Sequence, residues 1–121
     1  MDELVERLVA KTGVDRDAAE KTIAIILDFL IKEGPPDKVQ ALMDQLPGAE
    51  RVHQAMDTSD ASGAFGMGGI MGAGTRMMAA GLDMGQVQAV TREVISYARE
   101  KAGEDVVGEI VGAIPGLAQF V

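Results

Sequence analysis

Few residues in this chain could do chemistry. His53 is the only histidine and cysteine is absent, so His53 has no histidine or thiol with which to share acid–base or nucleophilic work. General acid–base catalysis needs such a positioned second group. The acidic pairs Asp57-x-x-Asp60 and Glu104-Asp105 lack the alternating oxygen ligands of a calcium loop and read as helix caps and solvated loop residues. Gly66-x-Gly68-Gly69 has the glycines of a phosphate cradle, but no lysine followed by serine or threonine closes it and no strand pattern leads into it. The sequence therefore predicts no catalytic residues, no cofactor and no metal site, and a protein that is not an enzyme.

What the sequence does carry is a repeat. Residues 12–53 and 80–121 align without a gap at an offset of 68, the separation of Pro47 and Pro115. Gly13-Val14-Asp15 matches Gly81-Leu82-Asp83, Asp37-x-Val39 matches Asp105-x-Val107, and Leu46-Pro47-Gly48 matches Ile114-Pro115-Gly116. Between these anchors the apolar pattern persists, as in Ile26/Val94, Phe29/Tyr97 and Leu42/Ile110. The expectation is an all-α, single-domain multi-helix bundle over residues 1–121, with six or seven helices and two degenerate helical repeats.

Composition agrees with helices. Apolar residues make up 47% of the chain while aromatics are only 3%, so Leu, Ile, Val, Ala and Met must fill the core, and the aromatic enrichment typical of strands is missing. The net charge of −8 repels a phosphate backbone, and the scarcity of rings removes stacking platforms, which argues against nucleic acid as a partner. Met1-Asp2-Glu3-Leu4-Val5-Glu6-Arg7 carries acids where a secretion signal carries bases, so a cytoplasmic location is expected.

The helices follow from local signals. Leu4, Val5, Leu8 and Val9 share one face of a first helix that Asp2 can cap and Thr12-Gly13 ends. Asp15 or Asp17 starts a second, with Asp17-x-x-Glu20 resembling a capping box. Its polar residues Asp17, Lys21, Asp28 and Lys32 form a narrow stripe, and isoleucine, leucine and phenylalanine fill the rest, so it belongs in the middle of the bundle. Gly34-Pro35-Pro36 stops it. A third helix is expected over about 37–46, with one or two further turns over 49–56. A long helix over about 84–101 should lie nearer the surface, a last one should span about 105–113, and Leu117, Phe120 and Val121 should dock the C-terminus.

Residues 61–80 hold six glycines, four of the eight methionines, and Arg76 as their single charge. Each interior glycine costs about 0.8–1.0 kcal/mol relative to alanine, yet the periodicity is helical. Ala61, Ala64, Gly68, Gly72, Thr75 and Ala79 form a stripe of small residues, Met67, Met71 and Met78 flank it, then Ile70 and Met77, and Arg76 falls on the opposite side. Small residues four apart let helices approach closely and methionine adapts to the gaps, so the segment is expected first as a buried helix inside the bundle and next as a self-association face. A membrane span is not expected: a central arginine costs about 2.5–3.5 kcal/mol, against about 0.3–0.6 returned by each of Phe65 and Ile70.

The Gly-apolar-Asp helix starts, the Leu/Ile-Pro-Gly ends, and the Gly/Met connector followed by Val90-Thr91-Arg92-Glu93-Val94-Ile95-Ser96-Tyr97-Ala98-Arg99-Glu100-Lys101 resemble small bacterial helical proteins grouped as domain of unknown function 2267 or the neighbouring 2780. The resemblance implies an all-helical bacterial protein without an agreed activity, and it supplies no catalytic residues.

For function the sequence favours a non-enzymatic interaction module. Its expected contact surface is Met67, Gly68, Met71, Gly72, Thr75 and Met78. The expected partner is a second copy in a homodimer, with Met67, Met71 and Met78 near the interface, or a protein of unknown identity. The alternative is a carrier of an apolar small molecule or lipid in a methionine-lined cavity.

Overall fold

The computed structural model describes residues 2–46, 48, 51, 69–114 and 117–120. His53, the Asp57/Asp60 pair, Met67, Gly68 and, apart from Arg51, the turns expected over 49–56 lie outside them. So do the prolines of the two Leu/Ile-Pro-Gly ends. Among the described residues the chain is all-helical: α1 (Asp2–Thr12), α2 (Arg16–Glu33), α3 (Pro36–Gln45), α4 (Gly69–Ala79), α5 (Met84–Ala102), α6 (Glu104–Ala113) and a final 3-10 turn, Leu117–Phe120.

Local chemistry explains the boundaries. The Thr12 hydroxyl donates to the Leu8 carbonyl at 2.6 Å, and Gly13, at φ 76°, turns the chain out of α1 in the left-handed region that glycine enters without steric cost. Asp15 precedes α2 in an extended conformation, but its side chain makes no capping bond. The box expected at Asp17 and Glu20 does not form because the chain is already helical from Arg16. The true capping box is at α5. There the Asp83 side chain accepts from the Gln86 N–H at 2.8 Å, and the Asp83 N–H donates to the Gln86 side chain at 3.1 Å, satisfying two otherwise orphaned groups.

Several element boundaries recur at one spacing, although α2 and α5 end at Glu33 and Ala102, 69 positions apart. α2 and α5 start at Arg16 and Met84, α3 and α6 start at Pro36 and Glu104 and end at Gln45 and Ala113, each pair 68 positions apart like the sequence anchors. Gly13 and Gly81 both have positive φ, and Leu46 and Ile114 close their helices alike, donating to the carbonyls of Met43 and Val111.

The two helix junctions use opposite means. Gly34-Pro35 leads into α3, whereas Gly103 leads into α6 with φ 92° and ψ 155°, a region open essentially to glycine alone. A Cβ on Gly103 would meet nothing within 4 Å, so strain, not crowding, excludes other residues. Gly103→Ala is therefore expected to cost about 1–3 kcal/mol, read from urea unfolding followed by helical circular dichroism. An unchanged midpoint would mean that the α5–α6 junction can relax into an ordinary conformation.

Packing is reciprocal. α1 lies against α2 and α5, α4 lies against the same two helices, α2 meets α5, and α3 meets α6. One apolar core receives Leu4, Val5 and Leu8 from α1, Ile23, Leu27 and Leu30 from α2, Val39 and Leu42 from α3, Met77 from α4, Val90, Val94 and Ile95 from α5, and Ile110 from α6. Burying each large side chain contributes about 1.5–3 kcal/mol. Ten of the 18 residues of α2 are buried against seven of 19 in α5, yet α5, expected nearer the surface, is the helix that packs against α1, α2, α3, α4, α6 and the final turn. Leu117 is buried beside α6, as expected for the C-terminus; the side chain of Phe120 and Val121 lie outside the described part.

Candidate interaction surface

The face that α4 turns to the core is not the one its small-residue stripe suggested. Met77 is 3% exposed and Met78 45%. On a helix these neighbours point about 100° apart, so together they fix the rotation of α4. Thr75 and Ala79, the described end of the small-residue stripe, are exposed. Thus Thr75, Met78 and Ala79 share the outward face, while Met77 enters the core. Met71 and Gly72 belong to α4 by their backbone, their side chains lying outside the described part, and Met67 and Gly68 lie outside the described residues.

Arg76 corrects the sequence expectation most clearly. It does not point away from the bundle. Its Nη1 donates to Asp28 Oδ2 of α2 at 3.3 Å, with side-chain exposures of 19% and 10%. Lys32, one turn further along α2, reaches the same oxygen at 3.0 Å. Asp28 is therefore not a solvated member of a polar stripe but a buried carboxylate held by two cations. Arg76 Nε is buried without a hydrogen-bond partner among the described residues. The Asp28/Lys32 half of this cluster was visible as an i, i+4 pair. The approach of Arg76, 48 residues away in sequence, was not.

A second polar cluster covers the seam of α1 and α5. Arg7 donates to Glu100 at 2.8 Å and Glu93 at 3.3 Å, Lys11 reaches Glu93 at 3.5 Å, and Arg7 and Lys101 both stand over the Tyr97 ring. The bond to Glu100 is the main reason the Arg7 guanidinium holds its proton more firmly than usual, with burial acting against it and the charges of Glu100 and Glu93 adding to it. Its carboxylates are engaged by cations, and such part-exposed pairs contribute only about 0–1 kcal/mol each.

Among the described residues no group of three histidine, cysteine or acidic side chains could hold a metal ion, and no helix is long and apolar enough to cross a membrane. No family model, curated protein or solved structure matches the chain.

Proposed function

We propose that the protein is a non-enzymatic helical interaction module that self-associates through the outer face of α4. The observation that carries this reading is the exposure of Met78, a flexible apolar side chain beside the small residues Thr75 and Ala79 on one helix face. Methionine repacks against a partner at modest cost, and small neighbours let a second helix come close. Met84, at the start of α5, is also more than half exposed. The expected surface of Met67, Gly68, Met71, Gly72, Thr75 and Met78 thus remains the proposal, now with Thr75 and Met78 facing out.

In the same reading the chain is two copies of one helical unit, a view supported by element boundaries that recur at the spacing of the sequence anchors. A two-fold dimer is the usual way for such a module to bury an apolar patch.

The test is the mass of the protein by light scattering at tens of micromolar, with and without Met78→Glu. A dimer that Met78→Glu returns to monomer, with unchanged helicity, is the expected result. Charge placed in an apolar contact costs several kcal/mol unless it finds a partner, enough to dissolve a micromolar dimer. A wild-type monomer throughout this range would remove the reading.

A further inference from the structure

We infer that α5 and α3 carry the two sides of a weak contact between copies of this chain, with Arg92 and Arg99 of one copy meeting Asp37 and Asp44 of another. The contact lies apart from the outer face of α4 and does not rest on that face being an interface. α5 turns Gln88, Arg92, Ser96 and Arg99 outward along one line, the arginines exposed and Ser96 half-buried. Spacings of four, four and three residues keep them on one helix face. The acids of α5 do not neutralise this line, because Glu93 and Glu100 are engaged by Arg7 and Lys11 of α1. Among the described residues Arg92 and Arg99 pair with no carboxylate, whereas Arg7, Lys11, Lys32, Lys38, Arg76 and Lys101 each reach one.

α3 supplies the complement. Its outward line is Asp37, Gln40, Ala41 and Asp44, with both acids exposed. Neither acid meets a cation among the described residues, and Asp44 accepts from the Gln40 side chain at 3.0 Å. The two arginines and the two acids are each seven residues apart, about 10.5 Å along a helix, so helices lying side by side match both pairs at once. No other described helix has two unpaired acids at that spacing. Ser96 and Ala41, between the charges, are small enough for the helices to pack closely. The match is not a by-product of the repeat, since Ala24 and Ile31 stand 68 positions before the arginines, and Asp105 and Gly112 stand 68 positions after the acids. Ala24 is 5% exposed, so the face that is open and charged on α5 is closed on α2. Both copies carry a charge of −8, but long-range repulsion is cut within about 8 Å at physiological salt. Exposed ion pairs are individually weak. The contact therefore belongs near a Kd of roughly 1 mM and leaves the mass at tens of micromolar unchanged.

A charge exchange tests the contact. Every chain in the test is full-length and carries Met78→Glu, which takes the α4 face out of the comparison. Weight-average mass is followed by sedimentation equilibrium up to about 1 mM in physiological salt. The mass of this parent should rise towards the top of the range and fall back in 1 M salt, where the screening length is about 3 Å. Arg92→Glu/Arg99→Glu places acids on both faces, and Asp37→Lys/Asp44→Lys places cations on both. Each should weaken association at least about tenfold, as like charges do when brought together. Mixed in equal amounts, the two variants should regain the parent's rise, because each finds its opposite in the other. The lysine variant is less negative than the parent, so overall repulsion alone would make it associate more. A parent that stays monomeric at 1 mM overturns the inference. So does a lysine variant that associates as well as the parent, or a mixture that stays monomeric while both variants keep the parent's helical circular dichroism. If either variant loses that signal, Arg92→Gln/Arg99→Gln and Asp37→Asn/Asp44→Asn replace them; each should abolish the rise, and an unchanged rise overturns the inference.

Discussion

Arg76→Met is expected to lower the unfolding free energy by about 2–4 kcal/mol, and adding Asp28→Leu to the same chain should restore most of that loss. Breaking a buried ion pair by removing one partner typically costs about 3–5 kcal/mol, because the remaining charge stays desolvated, whereas replacing both partners by apolar residues is often neutral. The expected value lies at the lower end because Lys32 still reaches Asp28 at 3.0 Å. Asp28→Leu alone should be at least as damaging, since it strands the Arg76 guanidinium against α2. Denaturant unfolding of the two single variants and the double variant closes a cycle in which the coupling should exceed about 1 kcal/mol, as expected for residues in direct contact. A mild effect of Arg76→Met, within about 0.5 kcal/mol as for an ordinary surface position, would mean that Arg76 lies in water and that the rotation of α4 is wrong.

The second large effect is expected at Gly34. Its φ of −89° is open to any residue, so conformational freedom is not the reason for glycine. Space is: a Cβ there would lie 2.7 Å from the Leu30 carbonyl oxygen and 2.8 Å from Val39 Cγ2, with Ile110 Cγ2 at 3.5 Å. The Gly34 N–H also donates to that same Leu30 oxygen at 2.8 Å, so the backbone cannot retreat without losing the bond that closes α2. Gly34→Ala should therefore overpack the α2–α3 junction at a cost of about 1–3 kcal/mol. In a thermal melt this is a midpoint lower by roughly 3–6 °C for each kcal/mol, with helicity at low temperature unchanged. An unaltered midpoint would show that Val39 and α3 shift freely. The matching position in the second half is Ala102. Ala102, 68 positions on, thus carries a side chain where Gly34 has no room for one.

The helices were legible because what makes them is local. Apolar spacing, the glycines at 13 and 81 and the prolines at 35 and 36 act within a turn or two of themselves, and α1, α2, α3, α5 and α6 lie within a residue or two of their expected places. The capping box was expected in the wrong half: Asp83-x-x-Gln86 has the polar third residue that a box needs, while Asp15-x-x-Ala18 does not, and Asp17-x-x-Glu20 already lies inside a helix. The heavy burial of α2 followed from its apolar circumference, which no single neighbour could cover, but that α5 would pack against every other described element did not.

The rotation of α4 was not legible. Glycine and alanine give a helix face so little hydrophobic difference that the stripe of small residues could point inward or outward. The choice was made by Met77 finding the core and Arg76 finding Asp28, a partner on another helix. The same holds for Asp28, which in sequence is one acid in a polar stripe and in the fold is a buried charge, and for Gly34, whose need for bare space arises only when Val39 and Ile110 arrive. By itself the sequence determined where the chain coils, because a helix is a balance of interactions a few residues apart. Only the tertiary structure decided which faces meet, because burial and ion pairing depend on side chains that become neighbours once the core has closed.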